Sequence, residues 1–130
     1  MKRFAIIVAG GTGSRMKADI PKQFMLLNHK PVLMHSLQKF YECNASVVIV
    51  LHKDLINEWK QLCEKYECNI PHIIIIGGDT RSESVINGLN AIDSDDGVVA
   101  IHDAARPLIT KQLIEKLLQL LPKKAMQYHF

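Results

Sequence analysis

Four short apolar runs rich in valine and isoleucine, residues 4–9, 46–51, 72–76 and 97–102, limit most sharply what this chain can fold into. Each is nearly continuously apolar instead of alternating, the pattern of a parallel strand covered on both faces. Segments with helical spacing lie between and after them. Val32, Leu33, Ser36, Leu37 and Phe40 mark the first, opened by Pro31, a residue favoured in a helix's first turn. Leu55, Trp59, Leu62 and Tyr66 mark the second, and Val85, Leu89 and Ile92 the third. Leu113, Leu117, Leu120 and Leu121 mark the last, with Thr110 as its N-cap and Pro122 as its stop. The order βαβαβαβα predicts an α/β protein with a doubly wound parallel sheet and right-handed crossovers.

The chain has 130 residues, enough for one domain with a closed hydrophobic core. Hydrophobic residues at 48% and charged residues at 22% argue against disorder, and a net charge of +3 is too mild to indicate nucleic acid. Cys43, Cys63 and Cys68 are odd in number and lack CxxC spacing, which speaks against a disulfide framework or zinc site and for a reducing cytoplasm. The apolar start at residues 4–9 is too short for a signal peptide's core, and no later stretch has the length to cross a membrane.

The unusual polar and glycine-rich stretches all fall just after strands: residues 10–15, 77–84 and 102–107. In open α/β sheets, ligands bind beyond the carboxyl ends of the strands, so three such loops on one rim imply a single site. A strand order of 3-2-1-4 would set the first and fourth strands, and their loops, side by side. In the first loop, Ala9-Gly10-Gly11-Thr12-Gly13-Ser14-Arg15, the glycines let backbone N–H groups approach a phosphate. Met16 excludes both a Walker loop, which needs Gly-Lys at positions 15 and 16, and a dinucleotide fingerprint, which needs a small residue there. What remains is a glycine loop ending in Arg15 and followed by Pro21-Lys22. Two fixed cations beyond such a loop suit phosphoryl or nucleotidyl transfer, where charge builds on phosphorus oxygens. The bland alternative is a tight turn with two solvated cations.

The loop His102-Asp103-Ala104-Ala105-Arg106-Pro107 brings a carboxylate to the rim. Asp103 is a candidate Mg²⁺ ligand, because that ion takes oxygen ligands shared with substrate phosphates. Ala104 and Ala105 leave room for a ribose or phosphate, and Arg106 is placed to bind phosphate or pair with Asp103. A helix cap at Asp103 and a core histidine at His102 are the alternatives. In the loop Gly77-Gly78-Asp79-Thr80-Arg81-Ser82-Glu83-Ser84, Asp79 is expected to cap the third helix. It could instead accept from an exocyclic amino group, with Ser84 as a second polar contact, a pairing that favours cytosine.

Taken together, the stretches Ala9-Gly10-Gly11-x-Gly13-x-Arg15-Met16, Pro21-Lys22-Gln23-Phe24, Gly77-Gly78-Asp79-x-Arg81-x-x-Ser84-Val85 and His102-Asp103-Ala104-Ala105-Arg106-Pro107 resemble the 2-C-methyl-D-erythritol 4-phosphate cytidylyltransferases of the non-mevalonate isoprenoid pathway. The first stretch is shared by many sugar-phosphate nucleotidyltransferases. The other three together are narrower and extend also to ribitol-phosphate cytidylyltransferases. The match runs from Phe4 to about Leu121. The resemblance implies a Rossmann-like nucleotidyltransferase fold that binds CTP and a sugar-alcohol phosphate, with Mg²⁺ as cofactor. It makes Arg15 and Lys22 the transition-state stabilisers and Asp103 the metal ligand. The backbone of Ala9, Gly10, Gly11 and Gly13 would lie along the nucleotide, Gly78, Asp79 and Ser84 would hold the cytosine, and Ala104 and Arg106 would lie near ribose and phosphates. No general base is implied, because the attacking group is already a phosphate anion that displaces pyrophosphate in line.

Members of that family continue past the point matching Phe130, with further strands, a dimer-forming arm and most of the sugar-phosphate pocket. The chain is therefore expected to be a single, truncated nucleotide-binding domain over residues 1–130. Its fourth strand should then present an open edge that residues 125–130 cover poorly, so that the chain forms a homodimer or otherwise self-associates. The alternatives within the resemblance are a ribitol-5-phosphate acceptor and a catalytically silent CTP-binding module.

Overall fold

Alternation along a twisted central strand builds the core. The computed structural model describes residues 2–9, 21–92, 97–104, 110, 112, 114 and 126–129. Strand β1 (Arg3–Ala9) lies at the centre, and its odd and even side chains point to opposite faces. On one face Ala5, Ile7 and Ala9 join Leu33, Leu37 and Phe40 of α1 (Val32–Glu42) and Trp59 of α2 (Ile56–Lys65). On the other, Ile6 and Val8 meet Val85 and Leu89 of α3 (Arg81–Asn90). Helices thus cover both faces, which is why the strands read as unbroken apolar runs.

The two-residue strands β2 (Leu26–Leu27) and β3 (Lys30–Pro31) form a separate hairpin ahead of α1. Asn28 and His29 both take positive φ, 49° and 71°, as a two-residue hairpin turn of the primed type requires. The main sheet is completed by β4 (Ser46–Leu51), β5 (Ile73–Ile76), β6 (Val98–Asp103) and β7 (Met126–His129), in the order β5-β4-β1-β6-β7. Every pair in it is parallel. Among the four strands that the sequence marks, the order is 3-2-1-4, which sets the first and fourth side by side. Gly88 permits the tight seat of α3, since a Cβ there would stand 2.7 Å from Ile6 Cγ2 and 3.1 Å from Val50 Cγ2.

The third helix starts at Arg81, four residues ahead of its first apolar marker Val85, with its cap at Thr80. One expectation changes. The outer edge of β6 is not open: Met126 to His129 pair with Val98 to Ile101 residue for residue. A ladder needs only extended backbone groups, so the polar residues Gln127 and His129 do not stop the tail from covering that edge. Ile114 N–H donates to the Thr110 carbonyl at 3.1 Å, as the first turn of the last expected helix requires; residues 115–125 lie outside the described residues. No helix among the described residues is long and apolar enough to cross a membrane.

Candidate active site

The rim at the carboxyl ends of β1, β4, β5 and β6 gathers the sequence candidates that can be placed. Pro21 opens a 3₁₀ turn over Lys22–Phe24, closed by the Phe24 N–H on the Pro21 carbonyl at 2.9 Å. The turn buries every residue but Lys22. Phe24 is buried and stacks on Trp59 with ring centroids 6.0 Å apart and planes 14° off parallel. Gln23 is buried, and its Nε2 donates to the Ala9 carbonyl at 3.1 Å. Lys22, between Pro21 and Gln23, is left exposed. Its turn is therefore pinned at two points, one of them the last residue of β1, where the glycine loop begins.

Asp103 ends β6, directly opposite Val8 of β1, and the Ala104 N–H continues the ladder onto the Val8 carbonyl at 3.0 Å. The half-buried Asp103 carboxylate and the Lys22 turn thus belong to neighbouring strand ends. Residues 105–109, which a helix capped by Asp103 would include, lie outside the described residues. His102 is the core residue allowed for above: its Nε2 lies 3.1 Å from Ser36 Oγ, and its ring packs 5.5 Å from that of Phe40. That leaves an oxygen donor, not an imidazole, at the strand end.

The third loop differs from expectation. Thr80, not Asp79, caps α3, its Oγ1 accepting from the Glu83 N–H at 3.1 Å. Thr80 has the extended backbone of an N-cap, and Glu83 stands where a capping-box acid belongs. Glu83 reaches one residue further back than usual, and its Oε2 accepts from the Asp79 N–H at 2.9 Å. Buried Ser84 accepts from the Gly78 N–H at 3.1 Å. Gly78 has to be glycine for this closure, because a Cβ there would collide with Cβ of Glu83. Relieved of capping, the exposed Asp79 carboxylate is available to a ligand.

Of the candidates, Ala9, Lys22, Gly78, Asp79, Ser84, Asp103 and Ala104 all stand on this rim. Gly10, Gly11, Gly13, Arg15 and Arg106 lie outside the described residues. Sequence reasoning gave no role to Gln23, Thr80 or Glu83, although Thr80-x-x-Glu83 carries the spacing of a capping box. All three cysteines are free thiols. Burial first, and then the charge and hydrogen bond of neighbouring Cys68, push the Cys63 thiol up to about 12, so it is a poor nucleophile.

Against known proteins, the model of the 2-C-methyl-D-erythritol 4-phosphate cytidylyltransferase family (IspD) matches residues 4–127. The chain belongs to this family. The cytidylyltransferase of Porphyromonas gingivalis is 49% identical over 115 residues, 88% of this chain and 51% of that protein. That of Bacteroides thetaiotaomicron is 43% identical over 122 residues, 92% of this chain and 55% of that protein. The chain spans about half the length of the curated relatives it matches. The structure of 4-diphosphocytidyl-2C-methyl-D-erythritol synthase from Anaerococcus prevotii superposes with a TM-score of 0.68 at 30% identity, over 90% of this chain and 50% of that one. The bifunctional IspDF of Campylobacter jejuni gives 0.73 at 26% identity, over 92% of this chain and 30% of that one.

Proposed function

We infer that this chain forms the CTP-binding part of an enzyme that transfers CMP from CTP to 2-C-methyl-D-erythritol 4-phosphate and releases pyrophosphate. The observation that carries the reading is the Lys22 turn bolted by Gln23 and Phe24 beside the end of β1, with Asp103 on the next strand. In the reaction, a phosphate oxygen of the acceptor attacks the α-phosphorus of CTP, a new P–O bond forms, and the bond to pyrophosphate breaks. Lys22 and Arg15 stabilise the charge that builds on the α-phosphate oxygens, and the backbone from Ala9 to Gly13 lies along the nucleotide. Gly78, Asp79 and Ser84 hold the base; Ala104 and Arg106 flank ribose and phosphates. Asp103, whose carboxylate oxygens suit that ion, would hold Mg²⁺, which supplies neutralisation of phosphate charge when bound. The three free thiols support a cytoplasmic setting, and exposed Ile73 and Ile76 on the outer strand β5 support assembly as a homodimer.

Calorimetric titration and turnover test the reading together. CTP with Mg²⁺ should bind better than UTP, ATP or GTP, and methylerythritol phosphate should be converted faster than ribitol 5-phosphate. Equal binding of all four nucleotides would remove the cytosine pocket. Faster turnover of ribitol phosphate would change the acceptor, and CTP binding without turnover of either would leave a silent module. Asp103→Asn should raise the Mg²⁺ concentration needed for half-maximal activity, roughly tenfold or more, as the loss of a charged ligand implies. An unchanged metal titration would take the metal away from Asp103.

A further inference from the structure

The loop between β5 and α3 has a polarity that its sequence does not display. Its backbone donors are used internally, one after another. The Gly77 N–H continues the ladder onto the Leu51 carbonyl at 2.8 Å, the Gly78 N–H goes to Ser84 Oγ, and the Asp79 N–H goes to Glu83 Oε2. At its start, Asn87 Nδ2 donates to the Ile76 carbonyl at 3.2 Å. The described residues give the carbonyls of Gly77, Gly78 and Asp79 no hydrogen bond. What the stretch from Gly77 to Asp79 offers a ligand is thus a row of acceptors, these carbonyls and the Asp79 carboxylate. Ser84, whose oxygen already accepts from Gly78, keeps its hydroxyl proton to donate.

The geometry points to Glu83 as the residue that enforces this polarity and so sets the base preference of the loop. Cytosine carries an amino donor at C4 and a ring acceptor at N3; uracil carries an acceptor at C4 and a donor at N3. A row of acceptors with one hydroxyl proton matches the first and opposes the second, and an unmatched polar contact in a closed site is costly. Glu83 does not itself touch the base. By holding the Asp79 N–H it withdraws a backbone donor that stands among these acceptors and could otherwise turn to a carbonyl at C4. Ser84 does the same for Gly78 from a buried position, but it is already assigned to the base. Glu83 is exposed, so it can be changed without opening the core.

This rests on the cytosine-pocket reading above, and the experiment separates the two. Dissociation constants for CTP and UTP are measured by calorimetry on the whole chain and on Glu83→Ala, Glu83→Ser, Glu83→Gln and Thr80→Ala. In Glu83→Ala and Glu83→Ser the CTP-over-UTP ratio should fall roughly tenfold, chiefly because UTP binds more tightly through the released Asp79 N–H, one hydrogen bond's worth. Glu83→Gln keeps a carbonyl acceptor and should keep the ratio. Thr80→Ala removes only the helix cap and should lower Tm with the ratio unchanged. An unchanged ratio in both Glu83→Ala and Glu83→Ser, or equal weakening of both nucleotides, would reduce Glu83 to a structural cap and overturn the inference while the pocket stands. No preference for CTP in the unsubstituted chain would instead remove the pocket, and this role of Glu83 with it.

Discussion

Replacing Lys22 with alanine is expected to lower the rate of CMP transfer about 10²–10³-fold while CTP affinity changes far less, the usual consequence of removing one transition-state donor. The reason lies in where the ammonium stands. Pro21, Gln23 and Phe24 are all buried, so the turn cannot swing, and Lys22 is its one outward side chain. The backbone that carries it is held before substrate arrives, which on the proposed reading favours the state in which charge has built up on the α-phosphate over the ground state. Arg15→Ala should behave in the same way if the second cation works as the family resemblance implies. Single-turnover rates at saturating CTP, set beside calorimetric affinities, separate the two effects. A variant with near-normal rate would make its residue a bystander cation. Equal losses in rate and affinity would mean ordinary phosphate binding.

The sheet was legible because its signal is local and repeated. Residues 46–51 are apolar at every position but the first, and a strand covered on both faces leaves no polar side to mistake for a helix's. The hairpin was missed for the opposite reason: two-residue strands carry no period, and Asn28-His29 is a weaker turn signal than asparagine followed by glycine. Covering of β6 by the tail is backbone pairing, to which side-chain reading is nearly blind. At the site, Lys22 and Asp103 could be found because a strand's carboxyl end is a place that sequence can mark. Gln23 could not, since its partner is a main-chain carbonyl on another element, brought near only by the fold. Glu83 was readable but overlooked. Asp79 and Thr80 are adjacent and both suit an N-cap, and only the three-residue spacing to Glu83 favours Thr80.

Trp59→Ala is expected to cost about 3–5 kcal/mol, the range for truncating a large buried aromatic residue. Domains of this kind carry only about 5–15 kcal/mol in all, so the loss takes a large share. Trp59 is fully buried under the face of the sheet that α1 also covers. Its indole stacks on Phe24, meets the His72 ring edge-on at 5.9 Å, and donates from Nε1 to His72 Nε2 at 3.1 Å. Truncation would leave a cavity and an unpaired imidazole nitrogen together. It would also withdraw the surface on which Phe24 rests, and with it one of the two pins of the Lys22 turn. Stability and catalysis should therefore fall together, even at temperatures where the variant is still folded. Trp59→Phe restores most of the volume but not the indole N–H, and should cost about 1–2 kcal/mol, near the price of one lost hydrogen bond. Trp59 is the single tryptophan of the chain, so denaturant unfolding of these variants has to be followed by circular dichroism. A cost below about 1 kcal/mol for Trp59→Ala would mean that the neighbouring side chains collapse into the space. Normal turnover by a folded Trp59→Ala variant would show that the Gln23 tie to Ala9 holds the Lys22 turn without Phe24.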